Sequence, residues 1–209
     1  MQTLKIIRYA AWAMVAGLIF FTAAIVLGWW RVDGPGRVPT NGGIEIKGLP
    51  QIGGPFTLVN HHGKTVTDKD FLGKPMLVFF GFTYCPDVCP TTLFETTTRL
   101  QKIGAEARDL QVLFITADPD RDTPEQLALY LQSFDPRIVG LTGTQEQVDA
   151  AVLAYKAYAK KVPSEGGGYT VDHTASVFLM DRNGRFMGLI DYHEQEASAL
   201  AKMRRLIAK

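Results

Sequence analysis

The chain has 209 residues, 46% of them hydrophobic, and 22 basic against 21 acidic side chains for a formal charge of +1. That length and apolar content suit one globular domain with an appendage. No basic stripe interleaved with aromatics is present, which removes the electrostatic basis for a nucleic-acid partner; Lys202, Arg204, Arg205 and Lys209 suit the negative pole of a last helix instead.

Residues 1–9 are a short lead. From Ala10 to Trp30, 21 residues carry no charge and one hydroxyl. As a helix at about 1.5 Å per residue this run spans ~31 Å, the hydrocarbon thickness of a bilayer. Tyr9 and Trp12 at one end and Trp29 and Trp30 at the other suit the two interfaces. The run is longer than the ~7–15 apolar residues of a cleaved signal peptide. The small-residue triplet Thr22-Ala23-Ala24 lies inside it, so an uncleaved transmembrane helix over 10–30 is expected. Lys5, Arg8 and the free amine precede it, and Arg31, Asp33 and Arg37 follow. The amine tips residues 1–9 to the cytoplasm and the bulk of the chain outside it, where thiols tend to oxidise. The lead is too short for an Arg- and Ser-rich transit peptide. The expectation is a single-pass protein of a bacterial inner (cytoplasmic) membrane with its soluble domain in the periplasm.

Residues 31–54, rich in Gly and Pro, read as a linker, and 55–209 as the soluble domain. "FTLVNHHGKTVT" predicts a hairpin with His61-His62-Gly63 at its turn. "MLVFFGF" is a continuous apolar run, as in a strand covered on both faces. Residues 90–107 read as a helix and "LQVLFITA" as a second buried strand. Thr123 and Pro124 suit the N-cap and first position of the next helix. "RIVGLTG" is a third strand, and Thr144 with Gln147 forms a capping box for a helix to about Lys160. A Gly-rich loop, "VPSEGGGYT", leads to a hairpin, "ASVFLMD" and "RFMGLID", turned at Asn183-Gly184. The last helix starts near Glu194. Strands alternating with helices, closed by a hairpin, imply an α/β fold: a mixed sheet with helices on both faces. Strand, cysteine pair, then helix is the arrangement of a thioredoxin-like fold.

Cys85 and Cys89, the only cysteines, stand where a strand gives way to a helix. A helix N-terminus stabilises thiolate, the form that attacks disulfides and binds soft metals. The i, i+4 spacing puts both sulfurs on one face of the first turn. Three readings are open: a stapling disulfide, a redox dithiol, or a metal site with a third ligand. A disulfide closing so short a loop contributes only roughly 2 kcal/mol, less any strain. Of the four histidines, His61 and His62 sit in a turn and His193 in a polar stretch, all read as solvated. His173 ends the Gly-rich loop just before a strand. In thioredoxin-like folds that loop faces the cysteine pair and carries a proline in redox members; here Asp172-His173-Thr174-Ala175 takes its place. Two thiolates and one imidazole select Cu(I) or zinc, and three donors fall short of a closed structural zinc site. Met76, Met180 and Met187 lie in strand-like runs and read as core.

"GFTYCPDVCP", "ADPDRDTPE", "GLTGTQEQV" and "VDHTASVFLMD" together resemble, in order and distance, the signature blocks of the Sco (SenC) copper proteins over about residues 50–208. The resemblance implies a membrane-anchored, thioredoxin-like copper metallochaperone that helps to assemble the copper centre of cytochrome c oxidase. It implies Cys85, Cys89 and His173 as ligands of copper, as Cu(I) with Cu(II) the second state to consider, and Cys85 and Cys89 as a redox-active disulfide pair. Expected partners are the copper-binding subunit of cytochrome c oxidase and other copper chaperones or thiol reductants. Asp118, Asp120, Arg121 and Asp122 match the family's acidic block; a turn followed by a helix cap is the plainer reading of them. The alternative function is a membrane-tethered thiol–disulfide oxidoreductase that reduces the oxidase cysteines without carrying copper, so enzymatic status stays open. A thiol peroxidase shares the fold, but nothing assigns Arg99 or Arg121 to its guanidinium role.

Overall fold

The chain is described from a computed structural model that covers residues 2–26, 51–164 and 167–208. It divides into two compact units, Met1–Leu49 and Pro50–Lys209. In the first, helix α1 runs over Gln2–Val26. The side chains described in α1 are Tyr9 and those of 12–23, and among the described residues no helix is long and apolar enough to cross a membrane. The expected span 10–30 is thus helical to Val26, while residues 27–30, and the linker 31–54 as far as residue 50, lie outside the described residues.

The second unit is built on a seven-stranded mixed sheet. Its strands are β1 (Thr57–Asn60), β2 (Thr65–Thr67), β3 (Met76–Gly81), β4 (Gln111–Thr116), β5 (Ile138–Thr142), β8 (Val177–Met180) and β9 (Phe186–Ile190), in the order β2-β1-β5-β4-β3-β8-β9. β3, β4 and β5 run parallel, and the remaining pairs are antiparallel. Between them lie helices α2 (Val88–Ile103), α3 (Pro124–Leu131) and α4 (Gln145–Ala154), with α5 (Glu196–Ile207) last. Period-two alternation divides the apolar strands between two cores. Leu77 and Phe79 of β3 and Phe114 of β4 pack with Leu93 and Leu100 of α2, Leu127 of α3 and Met203 of α5. Val78, Phe80 and Ile115 point the other way, toward Val148 and Ala151 of α4. Helices therefore cover both faces, which is why "MLVFFGF" shows no polar alternation.

Local signals account for several boundaries. The first hairpin turns at Gly63 (φ 79°), with the Asn60 side chain accepting from the N–H groups of His62 and Lys64, each at 3.0 Å. Thr123 accepts from the Gln126 N–H at 3.2 Å, and Thr144 and Gln147 form the reciprocal capping box. Gly184 (φ 72°) makes the last hairpin turn that Asn183-Gly184 signals.

Four expectations are corrected. The helix expected to reach Lys160 ends at Ala154: Tyr155 is its C-cap and Lys156 turns into the left-handed region at φ 54°. Beyond it, the expected loop is a separate antiparallel ribbon of β6 (Ala159–Pro163) and β7 (Tyr169–His173). Alanine and lysine favour helix locally, but Val171 is buried in the core, and this tertiary contact decides for strand. The helix expected over 90–107 runs over Val88–Ile103 and gives way at Gly104 (φ 68°) to a 3-10 turn. Met187 is 38% exposed rather than core, whereas Met76 and Met180 are buried in the cluster that faces α4.

Candidate metal centre

The centre is built where β3 ends. Pro86 biases Cys85 away from helical backbone, so Cys85 lies in the loop before α2 and only Cys89 lies within its first turn. This corrects the expectation that both occupy one helical face. The helix still serves the pair: the Cys89 N–H reaches the Cys85 sulfur at 3.4 Å. The Phe82 N–H reaches the Cys89 sulfur, also at 3.4 Å. Cys85 is half-buried and Cys89 fully buried, and both are free thiols.

Gly81 makes room for this. A Cβ there would lie 2.7 Å from the Cys89 sulfur and 2.7 Å from the Phe114 ring. Gly81→Ala is expected to cost about 1–3 kcal/mol of stability, as overpacking does, and to push Cys89 off its position. Urea unfolding of the reduced chain measures this, and an unchanged midpoint refutes it.

His173 arrives from the ribbon. It is the last residue of β7 rather than part of a loop, and its Nε2 lies 3.3 Å from the Cys89 sulfur. Its ring packs edge-on against Phe79 and Phe82, with centroids at 5.9 and 5.8 Å. Nδ1 lies 3.1 Å from the Thr174 carbonyl oxygen. A carbonyl can only accept, so Nδ1 carries the proton, and Nε2 is the ring atom that faces the sulfurs. A histidine poised for a metal is oriented in this way.

The donor atoms of Cys85, Cys89 and His173 all lie within 4.8 Å of one another, the one such group among the described residues. Ligand bonds of about 2.0–2.3 Å set the donors of a trigonal ion roughly 3.5–4 Å apart. Small side-chain adjustments would therefore close the set around a soft ion, and the residues fit such a group.

The two thiols are driven apart in acidity. The Cys89 S–H directed at it holds Cys85 down to about 3, with further help from His173 and the N–H groups of Asp87 and Cys89, against the cost of burial. Burial first, and then the neighbouring Cys85, push Cys89 strongly up. The pair therefore holds one thiolate and one thiol.

The acidic block is more than a turn and cap. Asp122 is fully buried and accepts from the Thr83 N–H (3.0 Å), the Thr83 hydroxyl (2.6 Å) and the Thr116 hydroxyl (2.7 Å). It thereby ties the loop before Cys85 to the end of β4, and burial raises its pKa. Asp118, also fully buried, accepts from the Tyr169 hydroxyl (2.9 Å) and from Arg121. Asp122→Ala strands three donors and is expected to lower stability by about 2–3 kcal/mol, read from the denaturation midpoint. A loss below 0.5 kcal/mol, the ordinary surface range, contradicts that role.

The other histidines lie apart from the cluster. His62 and His193 are exposed, as expected. His61 is half-buried and not simply solvated: its Nδ1 accepts from the Gly140 N–H at 3.0 Å. Gly81, Phe82, Thr83 and Tyr169 are site-building residues that sequence reasoning missed. The period-two pattern of "YTVDH" after the glycines was the available signal for the strand that carries Tyr169 and His173.

Comparison with known proteins agrees with this architecture. A human mitochondrial protein, Protein SCO1 homolog, is 42% identical over 159 residues, 75% of this chain and 53% of that protein; the chain thus spans about half the length of this curated relative. The copper-bound structure of Bradyrhizobium japonicum ScoI is 48% identical, with a TM-score of 0.69, covering 74% of this chain and 99% of that one. The structure of BsSco, described as revealing a disulfide switch in a member of the Sco family of cytochrome c oxidase assembly proteins, is 26% identical. Its TM-score is 0.62, and the match covers 77% of this chain and 95% of that one. The SCO1/SenC family model matches residues 45–208, from before the first hairpin through α5, and the chain belongs to that family.

Proposed function

We propose that the chain is a membrane-anchored copper-binding protein that delivers copper to, or prepares the copper site of, cytochrome c oxidase. The observation that carries this reading is the Cys85, Cys89 and His173 cluster, with the His173 Nε2 turned toward the sulfurs. Three soft donors leave a copper ion open to an incoming ligand, so a partner's thiolate or imidazole can displace these donors one at a time. Copper-bound relatives and relatives described as oxidase assembly proteins support the cargo and the partner. The partners are the copper-binding oxidase subunit, and the copper chaperones or thiol reductants that load or reset the chain. The uncharged run 10–30 would anchor it and leave residues 55–209 in the periplasm. The apolar side chains of α1 support this, Leu18 and Phe20 each being 67% exposed.

A second reading has its own support. One half-exposed thiolate beside a buried thiol is also a dithiol reductant. The Cys85 thiolate would attack a partner disulfide, forming a mixed disulfide and releasing one partner thiolate. Cys89 would then lose its proton and displace the second partner sulfur. The partner gains two electrons, its two thiolates take up the Cys89 proton and one from solvent, and the chain is left as the Cys85–Cys89 disulfide.

The test uses the full-length chain and the copper-binding domain of the oxidase subunit, without oxygen. Copper-loaded chain is mixed with the reduced domain, and reduced copper-free chain with the oxidised domain. Copper transfer in the first mixture supports delivery. Reduction in the second without transfer in the first overturns it in favour of the reductase.

A further inference from the structure

His173 stands on a ribbon that is not hydrogen-bonded into the main sheet, so something else must hold the ribbon in place. Tyr169, Val171 and His173 alternate along β7 and so share one face. Val171 packs into the core and His173 meets Cys89. At the far end, Tyr169 meets Arg121. The Arg121 guanidinium lies 4.1 Å from the Tyr169 ring centroid, its Nη1 donates to the Tyr169 carbonyl at 3.3 Å, and its Nε pairs with buried Asp118, which also accepts the Tyr169 hydroxyl. The same guanidinium lies 5.0 Å from the Tyr84 ring and 5.7 Å from the Phe82 ring. Tyr84 precedes Cys85, and the Phe82 ring also meets the His173 imidazole. Lys161, on the partner strand of the ribbon, pairs with Asp120 of the same turn.

We propose that Arg121 is a positioning residue for the metal centre, clamping the ribbon to the cysteine loop and so holding His173 within reach of Cys89. Phe82 is the shared element: the Arg121 guanidinium and the His173 imidazole both lie against its ring. The guanidinium suits this place because it combines a fork for Asp118 and the Tyr169 carbonyl with a flat face for aromatic rings. A lysine supplies the charge and point donors but neither the fork nor the flat face. The inference rests on His173 being a copper ligand and adds what sets its position.

The test measures Cu(I) affinity by competition in the reduced full-length chain. Arg121→Gln is expected to bind about tenfold or more weakly, the usual effect of losing a residue that orients a ligand. Arg121→Lys should fall between it and the wild type. In a His173→Ala background, Arg121→Gln should cause no further loss, because its effect runs through the imidazole. In the copper-free chain, the same substitution should speed amide hydrogen exchange in β6 and β7 while leaving β3 and β4 unchanged. Wild-type affinity in Arg121→Gln, or an equal loss in both backgrounds, overturns the proposal. So does an even acceleration of exchange over the whole domain. Should Arg121→Gln fail to fold, Tyr169→Leu removes the ribbon side of the clamp and must show the same pattern. If His173→Ala binds copper as tightly as the wild type, the ligand assignment fails instead. The exchange measurement then still decides whether Arg121 holds the ribbon.

Discussion

His173→Ala is expected to weaken Cu(I) binding to the reduced full-length chain by about a hundredfold or more, at or beyond the upper end of what losing even an outer orienting residue costs. The imidazole is one of three donors within 4.8 Å of one another, and its Nε2 is already 3.3 Å from the Cys89 sulfur. The Nδ1 contact with the Thr174 carbonyl and the edges of Phe79 and Phe82 hold the ring before any ion arrives, so little ordering entropy is left to oppose binding. Truncation removes a donor that neither sulfur can replace. It should leave the dithiol chemistry intact, since a disulfide needs only Cys85 and Cys89. An anaerobic competition titration measures the first effect, and quantifying thiols before and after mild oxidation measures the second. Equal affinity in wild type and variant removes His173 from the ligand set and places the oxidoreductase reading first.

The alternating cores, the hairpin turns and the α4 cap were legible because each rests on a short-range cause. Strand parity divides Leu77 and Phe79 from Val78 and Phe80, and Thr144 with Gln147 closes a cap within three residues. The ribbon was not legible in the same way. Its lysines and alanine favour helix, and only the packing of Val171 and Tyr169 against distant residues decides for strand. The grouping of Cys85, Cys89 and His173 could be read from topology, since a strand-end cysteine pair and the approach to β8 meet on one edge of such a fold. That His173 closes a strand rather than a loop could not. The acidic block shows the same limit. Asp122 precedes a good N-cap, so a turn and cap explain the local sequence completely. Its bonds to Thr83 and Thr116 span 39 and 6 residues, and the longer one leaves no local trace.

At pH 5.5, iodoacetamide is expected to modify Cys85 in the reduced, copper-free chain and to leave Cys89 untouched. Cys85 is held down to about 3, first by the Cys89 S–H, whereas burial and the neighbouring Cys85 raise Cys89 far above an ordinary thiol. An unfolded cysteine titrates near ~8.5. Between about pH 3 and pH 8.5 the folded pair therefore binds one proton fewer than the unfolded pair. Stability rises with pH wherever the unfolded state holds more protons. The Cys85 contribution is thus complete above the unfolded value and is lost as pH falls toward 3. Above that value the sign reverses: the unfolded chain loses both protons while Cys89 keeps its own, and stability falls. The disulfide form lacks both ionisations, so the difference between reduced and oxidised denaturation curves isolates the pair. That difference should rise with pH to a maximum near 8–9. Peptide mapping that finds both cysteines equally unreactive at pH 5.5, or a difference independent of pH, shows that no preformed thiolate exists. The functional consequence concerns uptake of the ion. A metal displaces the protons of its ligands, and here one thiolate is already bare. Loading Cu(I) at pH 7 should therefore release about one proton from the cysteine pair rather than two, a count that calorimetry in buffers of different ionisation enthalpy supplies directly.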